Sequence, residues 1–389
     1  MKSTHLTFLK DVFICSLGAY GGPEAHYGVF SDQMVVKKQC VTEEELTELI
    51  ALTSILPRPS STQTIIAMGY KMGGVPLALL TMVVWSLPVL VIMTALSFYG
   101  QFAKAMNVSA DIFRFVGPMA VGFILVAIYN IGRKVINSNL TVGLFLLGAV
   151  VTYFFKATWV FPLVLILGGI IAVWASKEEG IFNHVSITPP WHYLILFFVF
   201  ALGLIVLNFL FDNLIIKLFE SFYRYGYLVI GGGQVVVPLM HNDLVEVHQH
   251  MTNDEFLTGF GIVQGMPGPM FSFSAYAGGM AARSLAWVGQ LMGAIVGGIG
   301  IFLPGILLIL FVYPVWEQLK GIKAIKLSIS GIAPVACGLI LASAITMVQR
   351  SGFSFINMAV TLVTVLLLLT KKVPAPFIVL MAILLGICL

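Results

Sequence analysis

Long stretches without charge constrain the fold of this chain more than any other feature. Each is close to the roughly 20 residues of helix that cross the hydrocarbon core of a bilayer, or longer. They occupy residues 72–103, 115–132, 135–155, 157–176, 193–211, 256–282, 284–316, 327–349, 351–370 and 373–389. A transmembrane β-strand would alternate apolar and polar residues, whereas these stretches are apolar on every face. The sequence therefore predicts an all-α integral membrane protein, a polytopic bundle of helices.

The composition agrees with this class of protein. Hydrophobic residues make up 59% of the chain and charged residues 10%, whereas about a quarter of an average soluble domain is charged. The net charge of +4 comes from scattered lysines and arginines. Such a pattern favours contact with membrane lipid and does not indicate a nucleic-acid partner.

The two halves of the chain repeat one another. A constant spacing of 210 residues separates Thr42 and Thr252, Glu45 and Glu255, Pro57 and Pro267, Pro59 and Pro269, and Gly69 and Gly279. Further along, the spacing is 216 residues for Pro88 and Pro304, and for Pro118 and Pro334. Matched prolines and glycines at fixed spacing indicate a duplication, with a short insertion in the second copy.

The repeat divides the chain into three parts. Residues 1–176 form the first repeat, 177–211 a linker with one extra transmembrane helix, and 212–389 the second repeat. If each repeat crosses the membrane six times, the extra helix inverts the second repeat and gives about 12–13 crossings in all. Inverted repeats of this kind are common in secondary transporters.

Each repeat carries two motifs that interrupt helices. A glycine cluster comes first, at Gly21 and Gly22 in one half and at 231–233 in the other. A capping box follows, and the helix it begins runs into two prolines at 57–59 or 267–269. Prolines at this spacing are expected to break a helix at membrane depth.

A broken helix predicts an anion site. The free backbone amides at the start of its second half carry partial positive charge. The first break adds Arg58, and an arginine inside a bilayer is a functional candidate by default. The neighbouring hydroxyl and amide side chains are suited to binding a tetrahedral oxyanion. The candidate substrate-binding residues are Gly21, Gly22, Pro57, Arg58, Pro59, Ser60, Ser61, Thr62, Gln63, Gly231, Gly232, Gly233, Gln234, Pro267, Gly268, Pro269 and Ser272.

Other roles for these residues stay open. The glycines and prolines could be kinks for close helix packing, with Arg58 paired to Glu24 or Glu45. Glu24 and His26 are candidates for proton coupling, because titratable groups near a transport site carry protons. A polar stretch holds His241, Asp243, Glu246, His248 and His250, but it lacks a known zinc spacing. No metal or other cofactor is therefore expected.

The motifs resemble those of the chromate ion transporter family. Its two-domain members carry a Gly-Gly-Pro element and a Leu-Pro-Gly-Pro element in the first half and repeat both in the second. The strings at 231–239 and 264–271 carry the most specific similarity, which covers nearly the whole chain. The resemblance implies a multi-pass protein of the bacterial inner membrane that exports chromate at the expense of the proton gradient, with sulfate as a similar anion. The chain departs from the family at Arg58, where glycine is usual.

Three other functional classes can be compared with this one. An intramembrane enzyme needs a catalytic set, and neither HExxH nor GxSxG occurs. A nucleotide-driven pump needs a Walker A phosphate loop, which is also absent from the sequence. A passive anion channel stays open, since broken helices also line selectivity filters. The expected protein is therefore an oxyanion transporter or channel, not an enzyme, and a homodimer is its expected assembly.

Overall fold

The fold is given by a computed structural model of the full chain. It describes residues 3–54, 56–57, 59–99, 110–155, 160–176, 188–228, 234, 236–319, 323–351 and 354–388. Throughout these residues the regular structure is helical, and none of them forms a strand. The predicted all-α class is confirmed.

The helices are numbered in chain order. The first repeat contains α1 (Ser3–Gly18), α2 (Pro23–Phe30), α3 (Glu43–Ser54), α4 (Ser60–Ser97), α5 (Val116–Val135), α6 (Asn139–Phe154) and α7 (Val160–Ala175). The extra helix is α8 (Trp191–Leu210). The rest of the chain forms α9 (Leu214–Leu228), α10 (Val236–His241), α11 (Asn253–Gln264), α12 (Phe273–Ala281), α13 (Ala286–Val312), α14 (Trp316–Leu319), α15 (Lys323–Ser351), α16 (Phe355–Thr370) and α17 (Ala375–Cys388).

Two compact units form from these helices, and each draws on both halves of the sequence. The first unit comprises Met1–Ala95, Asn183–Tyr227 and Met266–Gly321. The second comprises Leu96–Phe182, Leu228–Gly265 and Ile322–Leu389. The sequence repeats are therefore interleaved in space, because each unit takes segments from either side of the extra helix.

The first unit is built on a close helical hairpin. α12 and α13 approach so tightly that a Cβ at Gly278 would lie 2.2 Å from the carbonyl oxygen of Gly293. In α4, Gly74 has a φ of 67° and interrupts the helix. The two parts of α4 then fold back on each other, since a Cβ at Gly69 would lie 2.4 Å from Thr81 Oγ1. Small residues thus allow backbones to approach where lipid supplies no hydrophobic driving force.

The second unit is centred on α15. This helix packs against α6 and α7, where a Cβ at Gly148 would lie 2.4 Å from the carbonyl oxygen of Val335. α5 packs against α16, and Thr361 Oγ1 donates to the carbonyl oxygen of Pro118 at 2.9 Å. That bond uses a carbonyl inside the first turns of α5 and joins the two repeats within this unit.

Local structure repeats along with the sequence. Thr42 and Glu45 form the predicted capping box of α3, with bonds of 2.9 and 3.1 Å. Thr252 and Glu255 form the same box at α11, with bonds of 2.8 and 3.2 Å. Just before these caps, Gln39 and Gln249 have φ values of 50° and 52°. The 210-residue spacing therefore preserves backbone conformation as well as residue type, while the inverted orientation stays a prediction.

Membrane-spanning length is distributed unevenly among the helices. Among the described residues, five helices are long and apolar enough to cross a bilayer: Ser60–Ser97, Val116–Val135, Trp191–Leu210, Ala286–Val315 and Lys326–Arg350. Four apolar helices are shorter, at Asn139–Phe154, Val160–Ala175, Phe355–Thr370 and Ala375–Cys388. These helix lengths do not test the expectation of about 12–13 crossings, which stays a prediction.

Replacing Gly278 by alanine tests the hairpin of the first unit. An alanine normally stabilises a helix relative to glycine by about 1 kcal/mol, but here its methyl group would meet a backbone oxygen that cannot move cheaply. We expect Gly278→Ala to lower the free energy of unfolding by about 1–3 kcal/mol. The melting temperature of the purified protein in detergent measures this loss.

Gly203 provides the matched control. It lies within α8, and a Cβ there would have nothing within 4 Å. Gly203→Ala should leave the melting temperature unchanged or raise it slightly. Equal effects of the two substitutions would contradict the close approach at Gly278.

Candidate functional site

Both predicted helix breaks are present. α3 ends at Ser54 and α4 begins at Ser60, so Pro57 and Pro59 lie between two helices. In the second half α11 ends at Gln264, and a short 3₁₀ turn precedes α12. Both breaks belong to the first unit, since 56–60 and 266–272 fall within it. The prediction that prolines two residues apart interrupt these helices is confirmed.

The first turn of α4 buries a row of polar side chains. Ser60, Ser61, Thr62 and Gln63 are between 1% and 4% exposed. His26 comes from α2, and its Nδ1 lies 2.9 Å from Ser61 Oγ. The structure thus brings the predicted coupling residue His26 directly against the predicted anion-binding turn.

Trp85 fixes the orientation of one hydroxyl in this turn. Its indole Nε1 donates to Thr62 Oγ1 at 3.1 Å, and the indole packs edge-on against His26 at a centroid distance of 5.4 Å. An indole N–H can only donate, so the hydroxyl oxygen of Thr62 must accept. Its hydrogen is then directed elsewhere, and no other bond to this hydroxyl is formed within the described residues.

Gln63 folds back over the first break. Its Nε2 donates to the carbonyl oxygen of Pro57 at 2.8 Å and lies 3.4 Å from that of Gly305. The Oε1 atom of the same amide is buried and has no hydrogen-bond partner in the described part of the chain. The donor nitrogen is therefore already used, and the amide offers an acceptor to the site.

The two breaks pack against matching points of the opposite repeat. A Cβ at Gly305 would lie 3.6 Å from Pro59, next to the first break. A Cβ at Gly268 would lie 3.3 Å from Val89, next to the second break. Val89 and Gly305 are 216 residues apart, and each follows the proline inside its long helix. The positions on the long helices that contact the breaks are therefore related by the duplication.

The glycine cluster of the first repeat adjoins the second break. Gly22 caps α2 with φ 97° and ψ −175°, a conformation that is open essentially only to glycine. Between this cap and α1, the carbonyl oxygen of Ala19 accepts from the backbone N–H of Gly268 at 2.8 Å. Past the second break, Ser272 and Ser274 are buried with no partner for either Oγ among the described residues.

Several predicted residues cannot be placed at this site. Arg58, Gly231, Gly232 and Gly233 lie outside the described residues, as does the side chain of Glu24. Gln234 is described and belongs to the second unit. The predicted contribution of these residues to anion binding stays a prediction.

Glu45, one of the two carboxylates considered as a partner of Arg58, has a lysine partner. Its carboxylate contacts Lys71 and also accepts from the backbone N–H of Thr42. The bond from Lys71, and then that from Thr42, lower the pKa of Glu45. Glu45 therefore completes a helix cap and an ion pair near the surface.

The polar stretch around His241 forms a separate group in the second unit. Arg350 Nη2 donates to Glu246 Oε2 at 2.7 Å, and His248 Nε2 lies 3.4 Å from Asp243 Oδ1. His241 and Glu246 line a cavity with about 20 Å³ of space for the centre of a water molecule. Among the described residues no three His, Cys, Asp or Glu side chains are arranged to hold a metal ion.

Two residues of the site were missed by the sequence analysis. Trp85 lies in the middle of an uncharged stretch, and the signal was its indole N–H, which needs a partner when buried. Gly305 could have been found as the residue after Pro304, the counterpart of Pro88. Neither is distinguished by charge, so a search for polar side chains passes over both.

Comparison with known proteins gives the family. The family model described as chromate transporter matches residues 6–174 and 216–387. The chain belongs to the chromate transporter family. The two matched segments correspond to the two repeats. No solved structure matches the chain.

Individual relatives cover nearly the full length of the chain. A chromate transport protein of Cupriavidus metallidurans is 26% identical, over 95% of this chain and 89% of its own. A probable chromate transport protein of Synechococcus elongatus is 24% identical, over 96% and 93%. An uncharacterised transporter of Methanocaldococcus jannaschii is also 24% identical, over 98% and 92%. This member of the chromate transporter family is therefore a multi-pass membrane transport protein and not an enzyme.

Gly268 provides a test of the packing at the second break. It has a φ of 96°, and a Cβ would come within 3.3 Å of Val89 Cγ1 and 3.5 Å of the carbonyl oxygen of Ser16. We expect Gly268→Ala to lower the free energy of unfolding by about 1–2 kcal/mol, the cost of a left-handed conformation with a side chain. Thermal melting in detergent measures the change.

Gly18 is the control for this substitution. It ends α1 close by, and a Cβ there would have nothing within 4 Å. Gly18→Ala should melt within error of the unsubstituted protein. An unchanged melting temperature for Gly268→Ala would show that the second break does not need its glycine.

Proposed function

We propose that this chain is a secondary active transporter that exports chromate across the bacterial inner membrane. The anion binds at the first helix break, with Ser61 and Thr62 as hydroxyl ligands. The predicted contribution of Arg58 supplies a full positive charge. Related oxyanions such as sulfate bind at the same place with their own affinities.

The observation that carries this proposal is that Thr62 Oγ1 accepts from Trp85, while its hydroxyl hydrogen has no partner among the described residues. A buried donor without an acceptor is unfavourable, by about 1–3 kcal/mol. An oxyanion at the break removes that cost and lies at the positively charged end of the α4 helix dipole. Because Trp85 donates to Thr62 Oγ1, this oxygen already accepts one bond, and its hydrogen remains able to donate to an anion. The turn is prepared for an acceptor before the anion arrives.

The second break supports the site from the other repeat. Ser272 and Ser274 are 0% and 1% exposed and stand at the start of α12. Their hydroxyls resemble those of the first break, but the turn has Gly268 in place of Arg58. We assign recognition of the anion's charge to the first break. The second break contributes weaker hydrogen bonds from neutral hydroxyl groups.

Proton coupling is assigned to His26, with Glu24 as the alternative. His26 is 3% exposed and touches the proposed anion site through Ser61. A histidine changes charge near physiological pH. Protonation of His26 would therefore change the electrostatic potential at the anion. In this way the movement of the proton would be coupled to the movement of the anion.

The remaining features of the assembly are proposed from the sequence. The first repeat covers 1–176, the linker and extra helix 177–211, and the second repeat 212–389, with the second inverted. α8 is apolar and exposed over most of its surface, with Phe209 at 90%, so it contacts membrane lipid or the second copy of a homodimer. A channel with the same site would conduct without coupling.

Thr62→Val tests the anion site. Valine keeps the shape of the threonine but removes its hydroxyl donor. We expect the apparent affinity for chromate to fall about tenfold or more, because a hydrogen bond to a charged ligand contributes about 1.5–3 kcal/mol. Uptake of radiolabelled chromate by inside-out vesicles measures the loss.

Thr81→Val is the matched control. Thr81 is also buried on α4, but its Oγ1 donates to the carbonyl oxygen of Leu77 within its own helix. Its substitution should leave the affinity for chromate unchanged. If both variants transport chromate like the unsubstituted protein, Thr62 does not bind the anion.

His26→Asn tests coupling. The asparagine amide reaches about as far as Nδ1 and retains a hydrogen bond to Ser61, but it does not titrate. We expect exchange of chromate across vesicles at equal pH to continue, while accumulation driven by a pH gradient is lost. Unaltered gradient-driven accumulation would exclude His26 as the proton carrier, and Glu24→Gln would then be the next variant to test.

If the rate of chromate movement does not saturate with chromate concentration, a channel is favoured over a transporter.

A further inference from the structure

Gln63 is placed to recognise a proton on the bound anion. Its side chain is 1% exposed, and its amide lies over the first break because Nε2 is bonded to the carbonyl oxygen of Pro57. Oε1 is attached to the same carbon as Nε2, so it is held at the break as well. This oxygen is the acceptor described above that has no donor within the described residues.

The orientation of this amide is determined by its neighbours. One terminal atom of the Gln63 amide lies 2.8 Å from the carbonyl oxygen of Pro57 and 3.4 Å from that of Gly305. Both carbonyl oxygens can only accept hydrogen bonds, so this atom must be the donor nitrogen. Exchanging the nitrogen and oxygen of Gln63 would place three acceptors together. Networks of this kind fix which end of a glutamine is the donor. Because the amide nitrogen of Gln63 is already bonded, the atom that remains available to a ligand is Oε1, which accepts a hydrogen bond.

An acceptor is an unusual component of an anion site. A fully deprotonated tetrahedral dianion offers only acceptor oxygens, so it would repel Oε1 and leave it unpaired. An oxyanion that retains one proton offers an O–H donor, and the same site can then satisfy both partners. Thr62, with its free hydroxyl hydrogen, pairs with the deprotonated oxygens of such an anion, and Gln63 pairs with the protonated one.

We propose that this transporter selects the hydrogen-bearing form of its oxyanion, and that Gln63 Oε1 accepts the bond from the anion's O–H. The proposal rests on the proposed anion site at the first break. It assigns hydrogen chromate as the preferred form of chromate. It also ranks anions that keep a proton near neutral pH, such as hydrogen phosphate and hydrogen arsenate, above sulfate and selenate.

The second repeat shows that this acceptor is not a general feature of the breaks. The residue at the same register is Phe273, 210 residues after Gln63. Its ring packs against Tyr276 at a centroid distance of 5.9 Å. At this register the second break therefore has an aromatic ring where the first break has an amide. Selection by protonation belongs to the first break alone.

A competition experiment separates protonation from size and charge. At mildly alkaline pH sulfate and hydrogen phosphate are tetrahedral anions with the same charge, but only hydrogen phosphate carries a proton. Uptake of radiolabelled chromate by proteoliposomes is measured with each anion as competitor, and with selenate and hydrogen arsenate as a second pair. We expect the hydrogen-bearing member of each pair to compete about tenfold better.

Gln63→Met removes the acceptor while keeping the length of the side chain. We expect it to reduce the ratio between the members of each pair to near one. Gln349→Met is the matched control, because Gln349 belongs to the second unit, whereas the breaks belong to the first, and its amide donates to Tyr153 Oη. This control should keep the tenfold ratio. If Gln63→Met does not fold, the ratio for the unsubstituted protein still decides the proposal.

The outcomes distinguish this inference from the proposed function. If chromate is transported but both members of each pair compete equally, the selection by protonation is wrong and the anion site stands. A preference that persists in Gln63→Met also overturns the role of Gln63. If the unsubstituted protein does not transport chromate, or no oxyanion competes, the proposed function itself fails.

Discussion

Every backbone amide and carbonyl in a bilayer must find a partner inside the protein, and the structure depends on how the helix breaks meet this requirement. A break at two prolines frees polar groups where water is scarce. Here Gln63 covers the carbonyl of Pro57, and the N–H of Gly268 bonds to Ala19. These bonds tie the breaks to other parts of the first unit. The proposed anion binds at the start of α4, beside these bonds.

The duplication explains why the two helix breaks have similar backbone surroundings but different side chains. Gly305 and Val89, which are 216 residues apart, each lie against one of the breaks, Gly305 at Pro59 and Val89 at Gly268. The side chains at the breaks then differ, with Gln63 and Arg58 in the first and Phe273 and Gly268 in the second. An ancestral symmetric arrangement would treat both breaks alike. In the proposed mechanism, divergence at these few positions makes the first break the charged side that recognises a protonated anion.

Interleaving of the repeats bears on the proposed function. The first unit contains both breaks, whereas α15 and the cluster of Glu246 and Arg350 belong to the second. A division of this kind places the proposed anion site within one compact body. Secondary transporters commonly move one bundle relative to another around such a site. The glycines of the α12 and α13 hairpin favour a rigid first unit, because close backbone packing leaves little room for adjustment.

The sequence by itself determined the helical membrane class, the repeat, the capping boxes at Thr42 and Thr252, and the positions of both proline breaks. These features follow from local chemistry and from spacing along the chain. It did not show that Gly74 interrupts α4, because no charge marks that point in an apolar stretch. Only the tertiary structure showed that Trp85 donates to Thr62 and that the amide nitrogen of Gln63 is bonded to the carbonyl oxygen of Pro57. Those roles depend on which atoms meet across distant segments, and spacing along one chain does not contain that information.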